Sequence, residues 1–465
     1  MQITVLLLGL LLTLQGAIGL GAQSAAIDPA FKTATIERLS ALINDHYVFP
    51  DVAAKTGDYL QKQLGSGAFD QTNDLPSFAA ALTKDVQSVN KDKHMRIRPA
   101  SQGSAPEGSL DQMAEEKLND IARQRSNMAG FREVKRLDGN IGYIDLRSFA
   151  PVGAGGPVAD RYMGLLAGSD AIIIDMRRNG GGSPDMVQYL CSYFFDQRVH
   201  LNSLYWRETN ETKEFWTLDQ VGGQKMPDVP LFILTSSYTF SGAEEFCYNM
   251  QTRQRAILIG ETTGGGANPG GMFPINEKLA VFIPTGRAIN PVTKTNWEGT
   301  GVEPEVKTTA EAAFDKAVEL AGKAAEEYRM QLKTRHKKLI AALLEQLEKN
   351  PAERSEEGIF QALQICCSTG LMNEDDINSM GYAYLQRFQK PATAEIIFKC
   401  NARLFPQSAN VYDSYGEALL INGKKAEAVK SYQKAVELAE AHHNPNLELF
   451  KKNLKSASKE TVKRP

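Results

Sequence analysis

The chain of 465 residues is longer than one ordinary hydrophobic core supports, so we expect two or three domains. With 42% hydrophobic and 23% charged residues, the composition is that of a soluble globular protein and excludes a disordered chain. The formal charge of −3 leaves no basic stripe that could follow a phosphate backbone, which argues against nucleic acid as a partner.

The first 22 residues have the pattern of an export signal. Residues 5–14 (VLLLGLLLTL) are almost wholly apolar but too short to span a bilayer, and small residues follow at Ala17, Gly19 and Ala22. We therefore predict cleavage near residues 19–24, a periplasmic or secreted protein, and no stable transmembrane segment afterwards. Because no Lys or Arg precedes the apolar run, an uncleaved interfacial anchor is the alternative.

Residues 29–100 predict an N-terminal helical domain, because apolar positions recur there at helical spacing, as in IERLSALINDHYVF. A Ser/Gly/Pro loop at residues 101–108 marks a boundary. From residue 141 the pattern becomes strand, helix, buried strand and Gly-rich turn, which is typical of an α/β layer, and we assign this core to residues 125–308. Residues 278–283 and the turn PTGRAINP predict a hairpin that closes it.

Beyond Thr308 the sequence is strongly helical, with a connector predicted at residues 309–370. Residues 375–442 show a 34-residue period that pairs Leu385 with Leu419 and Phe398 with Tyr432, and they resemble tetratricopeptide repeats. Such repeats could hold a protein partner, and two units would lean on neighbouring helices. A plain helical extension is the alternative.

The cysteines give no sign of a metal site. The five are odd in number and none has metal-ligand spacing with histidine, so we expect free thiols, with one disulfide among the last three as the alternative. They are Cys191, Cys247, Cys366, Cys367 and Cys400.

Two turns that follow buried strands carry residues that could do chemistry. Residues 175–182 (DMRRNGGG) could present backbone N–H groups to an anion, although a tight turn has the same sequence. Ser241, in YTFSGAEEF, begins a helix, where it is either an N-cap or a nucleophile placed at the positive end of the helix dipole. Together the two turns supply two parts of an acyl-transfer enzyme. Of six histidines, His94 in NKDKHMRIRP is the remaining candidate base.

Five motifs in order resemble those of the tail-specific (C-terminal processing) serine peptidases, and most closely their tricorn-like and interphotoreceptor retinoid-binding protein-like branch. They are IGYIDLRSF, IIIDMRRNGGG, TSSYTFSGAEEF, ILIGETTGGGANPG and NWEGTGVEPEV. The resemblance covers roughly residues 30–306. It implies an α/β fold with a crotonase/ClpP-like core, preceded by a helical segment and followed here by the helical repeat region. It also implies a serine-type endopeptidase that acts on peptides or proteins without a metal or organic cofactor.

The resemblance implies a Ser/His/Glu site. Its members would be the nucleophile Ser241, the base His94 in a D-x-H motif and the orienting acid Glu298, with the N–H groups of Gly180, Gly181 and Gly242 as oxyanion donors. Glu298 could instead pair with a surface cation, and His94 could be a surface residue. We interpret Glu244 and Glu245 as first-turn acids that favour the helix dipole, and Glu261 as part of the loop structure.

The sequence departs from the family in two places. One branch uses a lysine 25 positions after the serine, and that position here is Gly266, which excludes a Ser/Lys dyad at the family's positions. Many members carry a PDZ domain, and residues 98–140 leave no room for one. Two alternatives to a peptidase stay open: an inactive protein of the same fold that binds apolar ligands, and a scaffold acting through its repeats.

Overall fold

The computed structural model describes residues 27–100, 110–350 and 353–459. The predicted export signal lies outside these residues. Within them, no helix is both long and apolar enough to cross a membrane. The chain divides after Tyr328 into two compact units, and the division falls within the long helix α8 (Ala313–Glu348).

The first unit begins with three helices whose ends are fixed by local sequence. They are α1 (Pro29–His46), α2 (Pro50–Gly65) and α3 (Leu75–Asn90). Asp28 and Asp74 cap α1 and α3 by accepting N–H groups of the first turn, and each of the three helices has a proline at its start, where no N–H is needed. Lys91, with φ at 60°, ends α3 and turns the chain toward His94.

A six-stranded sheet forms the centre of this unit. Its strands, in spatial order, are β12 (Val306–Lys307), β8 (Ile257–Gly260), β7 (Leu231–Thr235), β4 (Ala171–Asp175), β3 (Ile141–Leu146) and β2 (Phe131–Leu137). All neighbours are parallel except β2 and β3. Because β4 and β7 are adjacent, with Asp175 opposite Leu234, the turns that follow them meet at one edge of the sheet.

Helices cover both faces of the sheet, which explains the continuous apolar runs of β4 and β7. These helices include α5 (Val152–Leu166), α6 (Pro184–Cys191) and α7 (Gly242–Thr252), while α4 (Leu110–Ser126) precedes β2. One face packs Ile172, Ile174 and Ile233 into the main core. On the other face, Ile173 and Phe232 contact the small residues at the start of α8.

Two three-stranded sheets complete the first unit. One contains β1 (Ile97–Pro99), β10 (Leu279–Pro284) and β9 (Gly270–Pro274), and the other contains β11 (Gly286–Ile289), β5 (His200–Trp206) and β6 (Glu211–Trp216). The hairpin predicted around PTGRAINP is wrong. The strand β10 pairs with the preceding β9, whereas β11 continues into the other sheet and pairs with β5. The N–H groups of Thr285 and Gly286 both donate to the carbonyl of Pro269, which fixes the junction between β10 and β11.

The second unit is helical throughout its described residues. Its helices are α9 (Glu356–Ser368), α10 (Glu374–Tyr382), α11 (Pro391–Leu404), α12 (Ala409–Ile421), α13 (Lys425–Ala441) and α14 (Leu447–Lys459). A side chain at Gly381 would collide with the ring of Phe398, and one at Gly416 would lie 3.0 Å from the ring of Tyr432. The two glycines thus play the same packing role in successive helix pairs. The predicted fold class, an α/β core with N-terminal and C-terminal helices, is confirmed. The predicted free thiols are also confirmed for all five cysteines.

Candidate active site

The turn that carries Ser241 is fixed to the turn that follows β4. The hydroxyl groups of Ser236 and Thr239 donate to the carbonyl groups of Arg177 and Met176, at 2.6 and 2.9 Å. The N–H of Phe240 donates to the carbonyl of Asn179 at 3.0 Å. Three hydrogen bonds therefore join the two turns before the chain reaches Ser241.

Ser241 itself has a strained backbone. Its φ of 56° and ψ of −124° lie outside the helical, extended and left-handed helical regions. A conformation of this kind costs about 1–3 kcal/mol and occurs mostly at functional sites. A sharp, strained turn from strand to helix is also how other folds expose a nucleophilic serine. An ordinary helix N-cap has an extended backbone, so capping alone does not explain the conformation of Ser241.

The glycine-rich turn packs backbone against backbone beside Ser241. A side chain at Gly181, whose φ is 101°, would lie 2.7 Å from the Gly242 nitrogen and 2.8 Å from the Ser241 Cβ. The N–H of Gly181 donates to the Asn179 side chain at 2.9 Å, so one of the predicted oxyanion donors is already engaged. Among the described residues, no hydrogen bond occupies the N–H of Gly180 or Gly242. These two groups are available to an anion.

His94 lies in a short turn after α3, mostly buried with 12% of its side chain exposed. Its backbone N–H donates to Asp92 Oδ1 at 3.0 Å, and its ring Nδ1 lies 3.7 Å from the same oxygen. The ring contacts Phe240 and Phe282, with centroids 4.6 and 5.8 Å away. Burial, and secondarily the charge of Arg96, lowers the pKa of His94 to about 4. At neutral pH the imidazole is therefore uncharged and can accept a proton.

Glu298 lies in the same cluster. Its Oε2 accepts the N–H groups of Ala267 and Asn268 at 2.6 and 3.2 Å, while its Oε1 and the His94 Nδ1 are both buried without a hydrogen bond. Burial, together with the nearby Asp92 carboxylate, raises the pKa of Glu298. Side-chain atoms of Asp92, His94 and Glu298 lie within 4.8 Å of one another.

Asp92 is a buried member of this cluster whose role the sequence did not indicate. Its Oδ2 accepts hydrogen bonds from the Asn268 amide at 3.0 Å and from the Tyr47 hydroxyl at 3.4 Å. Burial raises its pKa, and these hydrogen bonds oppose the shift. The only signal for it in the sequence was the D-x-H spacing with His94. Two carboxylates and an imidazole could also hold a cation, although hydrogen bonds already occupy Glu298 Oε2 and both oxygens of Asp92.

Glu244 does more than favour the helix dipole. It is completely buried, and its carboxylate accepts the N–H groups of Ser241, Gly265 and Gly266 at 2.6–2.8 Å, as well as the Thr263 hydroxyl. This one side chain ties the turn of Ser241 to the loop of residues 263–266. Glu245 is buried as well, so the interpretation of both residues as simple first-turn acids is incomplete. Glu261 accepts N–H groups from two loops, as a structural residue does.

Gly266 occupies the position where the sequence lacks the family's lysine. A Cβ there would lie 2.7 Å from His94 Cε1 and would collide with the ring of Phe240. The imidazole and the phenyl ring fill the space beside this backbone. The geometry thus agrees with the exclusion of a Ser/Lys dyad.

The structure brings the two halves of the predicted site to one cavity of about 590 Å³. His94 and Gly180 both line it, together with apolar or aromatic side chains and three cationic ones, which are Tyr238, Phe240, Met272, Phe282, Lys93, Arg96 and Arg98. Ser241 follows Phe240 directly, while no hydrogen bond joins its hydroxyl to His94 within the described part of the chain. Of the predicted site residues, His94 and Gly180 line the cavity, while Ser241 lies next in the chain to the lining residue Phe240.

Comparison with known families decides what kind of protein this is. Residues 140–308 match the profile described as peptidase family S41, and residues 30–128 match the profile of the N-terminal domain of peptidase S41 in eukaryotic IRBP. Together the two matches span more than half of the chain. The chain belongs to peptidase family S41. The predicted family is confirmed, and membership supports a serine peptidase with protein substrates.

Solved structures of peptidases show distant similarity to this S41 chain. One is a protein from Parabacteroides merdae ATCC 43184 assigned as a peptidase, with 18% identity and a TM-score of 0.45 over 63% of this chain and 97% of that one. The photosystem II D1 C-terminal processing protease has 15% identity and a TM-score of 0.39 over 60% and 94%. The tricorn protease has 12% identity and a TM-score of 0.41 over 64% and 37%.

Proposed function

We propose that the protein is an exported, tail-specific serine endopeptidase in which Ser241 attacks the peptide carbonyl and His94 acts as base and then as acid. The observation that carries this proposal is the position of His94. A neutral imidazole, buried with two carboxylates, packs against Phe240, the residue that precedes a serine of strained backbone. A hydroxyl group becomes a nucleophile at neutral pH when such a base takes its proton.

The first step transfers the Ser241 proton to His94 while the Oγ bonds to the substrate carbonyl carbon. The imidazolium that forms is buried, and a carboxylate of Glu298 or Asp92 stabilises it and holds its orientation. The oxyanion accepts hydrogen bonds from the N–H groups of Gly180 and Gly242 at the positive end of α7. Gly181 joins them only when Asn179 releases its N–H.

The second step breaks the peptide bond. His94 gives its proton to the leaving amine, and the acyl group stays on Ser241. Water then attacks the acyl-enzyme, His94 again takes a proton, and the return of that proton to Ser241 Oγ releases the acid. Apart from water, these steps use only side chains and backbone amides of the chain.

Export and a partner on the C-terminal helices belong to the same proposal. The apolar run of residues 5–14 supports export. The matching contacts of Gly381 with Phe398 and of Gly416 with Tyr432 support a repeated helix pair, whose surface could bind a protein partner.

One observation favours a second candidate, the binding of an apolar ligand. Phe240, Met272 and Phe282 give the cavity beside His94 an apolar wall. A ligand-binding protein of this fold would keep the cavity without needing an activated serine.

Labelling with a fluorophosphonate probe, followed by mass-spectrometric mapping, separates the two candidates. We expect the label on Ser241 and its loss in Ser241→Ala and His94→Ala. Ser237→Ala is the matched control, because Ser237 is an exposed serine of the same loop and its removal should leave labelling intact. Failure of the folded wild-type protein both to label and to hydrolyse a casein digest would overturn the peptidase and favour the ligand-binding protein.

A further inference from the structure

A second cavity, of about 670 Å³, lies beside the first and is lined by four arginines. They are Arg132, Arg147, Arg177 and Arg178, with Asn127, Gly130, Ser148 and Tyr238 completing the wall. The arginines come from three adjacent strands of the sheet. Arg132 is the second residue of β2, and Arg147 comes directly after β3. Arg177 and Arg178 come shortly after β4. Because β2, β3 and β4 are neighbours and β2 is antiparallel to β3, these positions lie at the same edge of the sheet.

The cavity carries more positive charge than its own carboxylates neutralise. Arg147 forms a two-pronged contact with Asp145, and Arg177 forms one with Asp175, with shortest distances of 2.8 and 2.6 Å. Arg132 and Arg178 are exposed, and no carboxylate pairs with either within the described residues. Four guanidinium groups against two carboxylates leave two positive charges facing the cavity. Its lining thus suits an anion.

Tyr238 connects this cavity to the candidate active site. The ring is 65% exposed and lines both cavities, three residues before Ser241. Arg177 and Arg178 also lead directly into the glycine-rich turn that contacts Ser241. A peptide whose scissile carbonyl lies at Ser241 can therefore run from the first cavity across Tyr238 into the arginine-lined one. The first cavity has an apolar wall but also Lys93, Arg96 and Arg98, so the test must separate the two cavities.

We infer that the arginine-lined cavity is a subsite for a carboxylate of the peptide substrate. This inference rests on the proposed peptidase function. The carboxylate comes from an acidic side chain or from the C-terminus of the substrate, and both present the same planar pair of oxygens. A guanidinium group recognises that pair with two parallel hydrogen bonds, which a lysine or an amide cannot reproduce. The exposed Arg132 and Arg178 make these bonds, while Arg147 and Arg177 are held by their own carboxylates.

Binding to the inactive Ser241→Ala variant tests the subsite without any turnover. The probes are alanine-rich decapeptides with one phenylalanine for the apolar wall of the first cavity. A glutamate is placed in turn at each of the three positions before and after the phenylalanine. Each peptide is compared with its glutamine counterpart and made with a free or an amidated C-terminus. We expect at least one carboxylate to strengthen binding on the order of tenfold, the range for a hydrogen bond to a charged group. The gain should shrink as salt is raised.

The double variant Arg132→Gln/Arg178→Gln, made in the Ser241→Ala background, should lose this gain. Arg161→Gln is the matched control, because Arg161 is exposed on α5 and does not line the cavity. Loss of the gain on replacing glutamate by glutamine identifies a side-chain carboxylate as the ligand. Loss on amidation identifies the C-terminal carboxylate. Equal binding of all peptides, or an unchanged gain in the double variant, would overturn the inference.

Charge reversal in the active protein gives a second readout. Arg178→Glu should lower kcat/KM for the preferred glutamate peptide and raise it for the lysine counterpart. Thermal unfolding should be nearly unchanged, since the side chain is exposed. Failure of Ser241 to label would count against the peptidase, whereas labelling with no carboxylate preference in binding would count against the subsite alone.

Discussion

The two sides of Ser241 are built in different ways. On one side, residues 179–182 pack backbone against backbone, with positive φ at Gly181 and Gly182, and no hydrogen bond among the described residues occupies the N–H of Gly180. On the other side, Asp92, His94 and Glu298 are buried ionisable side chains that share one small volume. The first side depends on close steric fit and has no proton to gain or lose. The second depends on the protonation states of its three ionisable side chains. Changes in pH and in neighbouring charge should therefore affect the second side and leave the first unchanged.

The largest effect should come from removing the base. We expect His94→Ala to lower kcat/KM on the order of 10⁴-fold or more, since members of a catalytic unit are non-additive and each is needed. Peptide hydrolysis measures this effect. His46→Ala is the control, because His46 stacks on Phe273 outside the cluster and should leave kcat/KM near that of the wild type. Activity of His94→Ala within tenfold of the wild type would contradict the assignment.

The next effect should come from filling the glycine-rich turn. Gly181→Ala puts a methyl group against Ser241 and the Gly242 nitrogen at a φ of 101°, so it should displace the amides. We expect kcat to fall about 10²–10³-fold, the cost of losing one oxyanion donor. Gly164→Ala, where the added Cβ has no neighbour within 4 Å, should be silent or slightly stabilising. In Gly181→Ala the pH profile of kcat/KM should keep the shape of the wild type while kcat falls. A changed shape would contradict the idea that the two sides of Ser241 act separately.

A smaller effect should come from Glu244, which connects the Ser241 turn to the loop behind His94. In Glu244→Gln the amide nitrogen cannot accept the N–H groups that the carboxylate now accepts. We expect unfolding free energy to fall by roughly 1–3 kcal/mol and kcat to fall about tenfold with KM little changed. The exposed Glu319 pairs with two lysines on α8 and gives the control Glu319→Gln, which should change stability little because surface ion pairs contribute little. A change in stability without a change in kcat would make Glu244 purely structural.

The smallest effect concerns pH. The neutral imidazole is the active form, and burial lowers the pKa of His94 to about 4, so kcat/KM should persist below pH 6.5 and fall near pH 4. Arg96 contributes to that lowering, and Arg96→Gln should therefore move the acid limb to higher pH while leaving activity at pH 7.5 nearly unchanged. Arg96→Lys keeps the positive charge, so the acid limb of its kcat/KM profile should lie at the same pH as that of the wild type. A wild-type limb at 6.5 would show that His94 is not buried in the working protein.

The sequence was sufficient for the parts of the fold that follow a local pattern. The buried strands β4 and β7 and the helix that begins after Ser241 were all predicted from apolar runs and turn residues. The pairing of β11 with β5 was not predicted. The two strands lie about 80 positions apart, and no local sequence pattern indicates which strand β11 pairs with. The same holds for the hydrogen bond between Asp92 and Asn268, which are 176 positions apart.

Side-chain roles were harder to predict than their positions. Glu244 looked like a helix acid because first-turn acids are common, and only its burial shows the loop that it holds. Gly181 looked like an oxyanion donor, yet Asn179, two residues earlier, takes its N–H. The arginine-lined cavity was invisible in the sequence because its arginines come from three separate strands.

The crowding at Gly266 restricts which base can lie beside Ser241. A lysine at this position would need the volume that the His94 and Phe240 rings occupy, so the two alternative proton acceptors of the family exclude each other here. No single substitution can exchange one for the other. A lysine introduced at Gly266 could therefore act on Ser241 only if the rings of His94 and Phe240 moved or were replaced as well.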